Sequence, residues 1–152
     1  MTHRIIPPLL VVVFAAVAAA AAQRQASTVV EVYKTPTCGC CALWVEHLRA
    51  DGFAVRVTDM DDLTEMKASR KVPAQVRSCH TALVGGYVLE GHVPVADVRR
   101  LLKEKPAVLG LAVPGMPIGS PGMEVRGMKP QPFDVFTFDR QGKTSVFAAH
   151  NK

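Results

Sequence analysis

Thr28-Val29-Val30-Glu31-Val32-Tyr33, followed by Lys34-Thr35-Pro36-Thr37-Cys38-Gly39-Cys40-Cys41, runs from a β-branched stretch through a proline turn straight into three cysteines. The first six residues read as a strand, and a helix is predicted from about Cys40 to Ala50, closed by Asp51-Gly52. The cysteines therefore fall where a helix begins. Backbone N–H groups and the macrodipole there favour a thiolate over a thiol.

Working outward, Phe53 to Thr58 reads as a second strand, and the acidic turn Asp59-Met60-Asp61-Asp62 leads into a short helix from Leu63 to Lys71 that Pro73 ends. Thr81-Ala82-Leu83-Val84 and Tyr87-Val88-Leu89-Glu90 flank Gly85-Gly86, a two-residue hairpin signal. A last helix is predicted from Val95 to Lys103. Strand, helix, strand, helix, hairpin, helix is an α/β order, a βαβ half followed by a ββα half, and it is the thioredoxin-like one. Reactive cysteines just after the first strand suit that arrangement.

The fold brings in residues remote in sequence. Its third strand runs antiparallel to its first, so Cys79-His80, just ahead of Thr81, should face the cysteine turn. Thioredoxins keep a cis-proline at that position; here it holds His80, which argues against simple thiol exchange. His92, in Gly91-His92-Val93-Pro94, ends the fourth strand at the same rim as a ligand, a ligand's partner or a polar loop residue. His47 lies about 10 Å along the first helix from Cys40, too far for the same metal centre. His150 is expected to be solvated, and Met60 and Met66 to pack.

Pro106 to Pro132 has eleven Gly or Pro among its 27 residues and holds Met116, Met123 and Met128. It reads as an irregular loop rather than a tail, because Phe133 to Phe138 and Thr144 to Phe147 alternate around Asp139-Arg140-Gln141-Gly142 as a second hairpin. Met116 and Met123 recur in Pro-Gly-Met units seven residues apart. They are either thioether ligands or caps on an apolar sheet face.

The chain has 152 residues, 49% of them hydrophobic, with aromatics at only 6% and a mean hydropathy of +0.17. Much of the apolar excess sits in residues 1–22, where His3 and Arg4 precede an apolar run ending in Ala20-Ala21-Ala22. This is the pattern of a cleaved secretory leader. A retained anchor is the alternative, but Leu9 to Ala22 would make a helix of about 21 Å against a hydrocarbon core of roughly 30 Å. The domain is expected over 27–150, in the periplasm and without stable membrane insertion. Cleavage removes one cation, Arg4, and no acid, so the net charge of +5 falls by one. Lysines and arginines are scattered without aromatic interleaving, which excludes a nucleic-acid surface.

All four cysteines, Cys38, Cys40, Cys41 and Cys79, lie in the exported part, where two structural disulfides would be the usual outcome. Three sulfurs within four residues cannot staple distant segments. A third thiol beside a Cys-x-x-Cys invites wrong pairing in an exchange enzyme, but it completes a soft nest for metal. Soft sulfur selects Cu(I), with Zn(II) as competitor. Three readings follow: a copper-binding protein, a thiol-disulfide oxidoreductase with Cys38 as nucleophile and Cys41 as resolving thiol, and a structural zinc site. The candidate ligands are Cys38, Cys40, Cys41, Cys79, His80, His92, Met116 and Met123; copper-handling or redox proteins are candidate partners.

Thr-Pro-Thr-Cys-Gly-Cys-Cys at 35–41, Ser-Cys-His-Thr at 78–81, Glu-Gly-His-Val-Pro at 90–94 and Gly-Leu-Ala-Val-Pro-Gly-Met-Pro at 110–117 together resemble the exported family labelled domain of unknown function 411. The resemblance spans nearly the whole exported chain. It implies a thioredoxin-like fold, copper held in a cysteine-bridged multinuclear cluster, and a role in copper resistance.

Overall fold

The computed structural model describes residues 28–152; the expected leader, 1–22, lies outside them. β1 (Val29–Lys34) turns alternate side chains inward, burying Val30, Val32 and Lys34. α1 (Gly39–Ala50) buries Cys41, Trp44, Val45 and Leu48, the spacing of a single helix face. β2 (Ala54–Asp59) lies parallel to β1. After α2 (Thr64–Ser69) and a 3-10 turn (Ala74–Val76), β3 (Thr81–Val84) and β4 (Tyr87–Glu90) form the expected hairpin. α3 (Val95–Glu104) follows, burying Val98 and Leu101.

The Gly/Pro-rich segment differs from its sequence reading. It contains β5 (Gly110–Ala112), which pairs parallel to β4 and antiparallel to β6 (Phe133–Phe138). β7 (Thr144–His150) completes a seven-stranded mixed sheet in the order β2-β1-β3-β4-β5-β6-β7. Three residues are too few to show periodicity, so only pairing partners on both sides reveal β5. Gly110 is needed there, because a Cβ would stand 1.8 Å from the Val88 carbonyl oxygen.

One core joins the sheet to α1 and α3 through Val32, Trp44, Leu48, Leu89, Leu101 and Leu111. A smaller cluster of Val72, Val76, Val88, Ala112 and Phe138 covers other positions. Burying a Leu- or Val-sized side chain contributes about 1.5–3 kcal/mol each, so the larger cluster dominates stability. Among the described residues no helix is long and apolar enough to cross a membrane.

Register then gathers the candidate residues. Tyr33 pairs with Thr81 and Thr81 with Glu90. The turn after β1, the residues before β3 and the residues after β4 therefore meet on one rim.

Candidate metal centre

Cys38 is the N-cap of α1, with extended backbone and no side-chain cap. One turn of helix brings its Cα within 5.4 Å of that of Cys41, and the two sulfurs form a disulfide. This departs from the copper reading, which took all four sulfurs as thiolate ligands, and it joins the two cysteines that the exchange reading names as nucleophile and resolving thiol. A bridge between residues three apart at a helix start staples nothing distant, so the argument against structural disulfides did not reach it. Cys40 and Cys79 are free, and the Cys40 sulfur stands 3.5 Å from that of Cys38.

Cys79 lies on the opposing arm. Its sulfur is 3.2 Å from His80 Nδ1 and 3.1 Å from His92 Nε2. Ligand atoms of Cys38, Cys40, Cys41 and Cys79 all fall within 4.8 Å of one another, and so do those of Cys79, His80 and His92. Cys79 belongs to both groups. Among the described residues the structure thus brings together six of the eight candidates.

Proton bookkeeping fixes the imidazoles. His92 Nδ1 lies 2.8 Å from the Pro121 carbonyl oxygen, which can only accept, so Nδ1–H donates. Neutral His92 then presents a bare Nε2 to Cys79, which donates its S–H. Metal-ligating histidines are held by the same second contact to a carbonyl. With that thiol proton used, His80 donates Nδ1–H to the Cys79 sulfur. His80 Nε2 keeps its lone pair, buried and without a partner. An unpartnered buried acceptor costs free energy and is suited to a cation.

Burial sets the charge states. Both histidines are fully buried, which holds His80 well below the ordinary imidazole value; neighbouring His92 and Lys67 act in the same direction. Burial also lowers His92, against the Pro121 contact. Both imidazoles are neutral at pH 7, the form that ligates metal. Desolvation pushes the Cys79 thiol up to about 11. Metal binding at Cys79 must therefore displace a proton.

The loop residues are placed by their backbones. Ser78 Oγ donates to the Gly115 carbonyl, tethering the residue before Met116 beside Cys79. A Cβ on Gly122 (φ +85) would meet the Cys40 carbonyl at 2.6 Å and the Trp44 amide nitrogen at 2.8 Å, so the loop sits directly on the first turn of α1. Met123 follows it and is half-buried. Met116 is 51% exposed. Trp44 packs its ring 4.4 Å from that of His80 and donates Nε1–H to the Val93 carbonyl, walling the inner side.

Two other histidines find acids. His47 pairs with Glu124 at 2.9 Å. His150 is not simply solvated: it pairs with buried Asp97 at 2.7 Å and stacks on Phe133. That partner lies on α3, where no local pattern announces it. Met66 packs as expected.

Beneath the rim lies a polar cluster that the sequence reading missed. The fully buried Glu90 carboxylate accepts from Lys67 Nζ at 2.5 Å, the Thr81 hydroxyl at 2.6 Å and the Ser78 amide at 2.6 Å. Burial raises the Glu90 carboxyl, and Lys67 opposes this. The cluster grips the residues on both sides of Cys79-His80. Its one sequence signal is a glutamate closing the apolar run Tyr87 to Leu89.

Comparisons with known proteins point to one family. The model of the family described as "Protein of unknown function, DUF411" matches residues 76–123. Two solved structures titled copper resistance protein CopG also match. Form 2 is 40% identical with a TM-score of 0.77, over 82% of this chain and 98% of that one. Form 1 is 39% identical with a TM-score of 0.77, over 83% and 99%. No curated protein sequence matches. With about two fifths of the aligned residues identical along nearly the full length of those structures, the chain belongs to the DUF411 copper-resistance family.

Proposed function

We propose that this protein binds copper as Cu(I) in the periplasm and serves copper resistance, after removal of residues 1–22, with 27–150 forming a thioredoxin-like domain. The carrying observation is that two metal-capable groups share Cys79. A sulfur common to both suits several ions bridged by thiolates better than one isolated ion. Cys38, Cys40, Cys41 and Cys79 supply thiolates, His80 and His92 neutral nitrogens, and Met116 and Met123 thioethers at the edge. Copper is the cargo; its donors and acceptors would be other copper-handling or redox proteins.

The disulfide makes binding conditional. Opening Cys38–Cys41 takes two electrons and returns two thiolates, so full capacity requires the reduced chain. Anaerobic Cu(I) loading tests this. The reduced protein should retain more than one copper per chain and the oxidised protein less, and Cys38→Ser with Cys40→Ser and Cys41→Ser should abolish the difference. Less than one copper per reduced chain, or unchanged loading in the triple variant, overturns the reading.

The disulfide itself favours a second reading, thiol-disulfide exchange by Cys38 and Cys41. Insulin reduction by metal-free protein that survives Cys40→Ser and Cys79→Ser would support it. A structural zinc site would instead make folding depend on Zn(II).

A further inference from the structure

At the ends of β3 and β4 remote from Cys79, a cleft of about 240 Å³ opens between the end of α2 and the β6–β7 turn. Half-buried Leu83 and Leu109 line it and pack against the smaller apolar cluster. Around them stand Arg70 and Lys71, just beyond α2, and Arg140, from the turn across the sheet. No acidic side chain lines the cleft. We propose that it binds a small organic anion, a carboxylate or phosphate group carried on a compact apolar body.

Three observations combine. First, among the described residues none of the three cations makes an ion pair, a state they share with six other lysines and arginines, but these three alone line this cleft. The nearest acid in sequence to Arg140 is Asp139, whose Oδ1 accepts from the Gln141 and Lys143 amides. Three like charges about one concavity repel one another unless an anion joins them, and low-dielectric walls focus their field inward. Second, a helix end favours Arg70 and Lys71 on dipole grounds alone, but Arg140 belongs to no helix and arrives from a segment some seventy residues later. Third, the volume lies below the roughly 300–1,000 Å³ of pockets for drug-sized ligands, and Leu83 and Leu109 add an apolar wall that a bare ion would leave uncovered. Size and surface together select a small amphipathic anion. The inference is independent of copper binding, because the cleft and the cysteines occupy opposite ends of β3.

Phenyl phosphate is the probe. Titrated into isotope-labelled protein, it should shift the amide signals of Lys71, Gly86 and Leu109 saturably, with half-saturation at ~1 mM or below. Inorganic phosphate should bind more weakly for want of the apolar contact, and benzyl alcohol should not saturate. Lys71→Gly removes a charge where the backbone is left-handed (φ 55), a conformation glycine adopts freely, so the fold should survive it. Combined with Arg140→Gln on an exposed turn, it should weaken phenyl phosphate at least roughly tenfold while leaving Cu(I) loading unchanged. No saturable shift by about 10 mM, or equal binding by the double variant, overturns the proposal. So does benzyl alcohol binding as well as phenyl phosphate. Sedimentation with phosphatidylglycerol vesicles that the double variant loses would also overturn it, by giving the three cations to a membrane surface.

Discussion

His80, fully buried, has one nitrogen against Cys79 and a second facing no donor. Folding therefore holds this imidazole neutral under conditions where an unfolded chain would protonate it. The sign follows from proton counts. Below the ordinary value of 6.5 the unfolded state binds a proton that the folded state refuses, so stability is complete above that pH and falls as pH drops further. His92, also lowered by burial, adds to the slope. Urea unfolding of metal-free protein between pH 7.5 and 5.5 should show a loss approaching about 1.4 kcal/mol per pH unit from His80, with His92 adding in the same direction, and His80→Gln should remove its share. Cys79-His80 was legible from the order of strands alone, since an antiparallel third strand must begin where the first one ends. His150 was not, because its partner, Asp97, lies fifty-three residues away.

The elements around the site are joined by charge as well as by apolar packing. α2 sends Lys67 beneath the rim, β4 sends Glu90, and Thr81 of β3 completes the triangle, with Lys67 Nζ 3.0 Å from its hydroxyl. A lone charge left in such a place is far costlier than the intact pair. Lys67→Met should therefore destabilise by about 3–5 kcal/mol, while Lys67→Met with Glu90→Gln should recover much of it; melting temperatures measured side by side decide. A lysine between Met66 and Ala68 reads locally as the solvent face of a short helix. Only the arrival of a glutamate from another strand makes it an interior residue. The helices and hairpins were legible because their periodicity and turn residues are local, whereas β5 and the polar triangle are defined by partners.

Across the molecule, β5 joins two halves of a single sheet. On one side stand the strands that gather the cysteines, and on the other the C-terminal hairpin, so the loop bearing Met116 and Gly122 is anchored at both ends in the same sheet. Gly110→Ala should force β5 from Val88, at a cost of at least about 1–3 kcal/mol, and open the 113–132 segment to protease; urea unfolding and limited proteolysis check both. The order of the chain gives this join a temporal meaning. Every cysteine, and both histidines facing Cys79, precede β5, while the strand that fixes its far edge begins only at Phe133. As the polypeptide grows, the sulfurs exist before the backbone that covers them. A chain cut short before Phe133 keeps all six of those side chains with β5 lacking its outer neighbour, so it would carry the candidate ligands without the strand that anchors the far end of the covering loop.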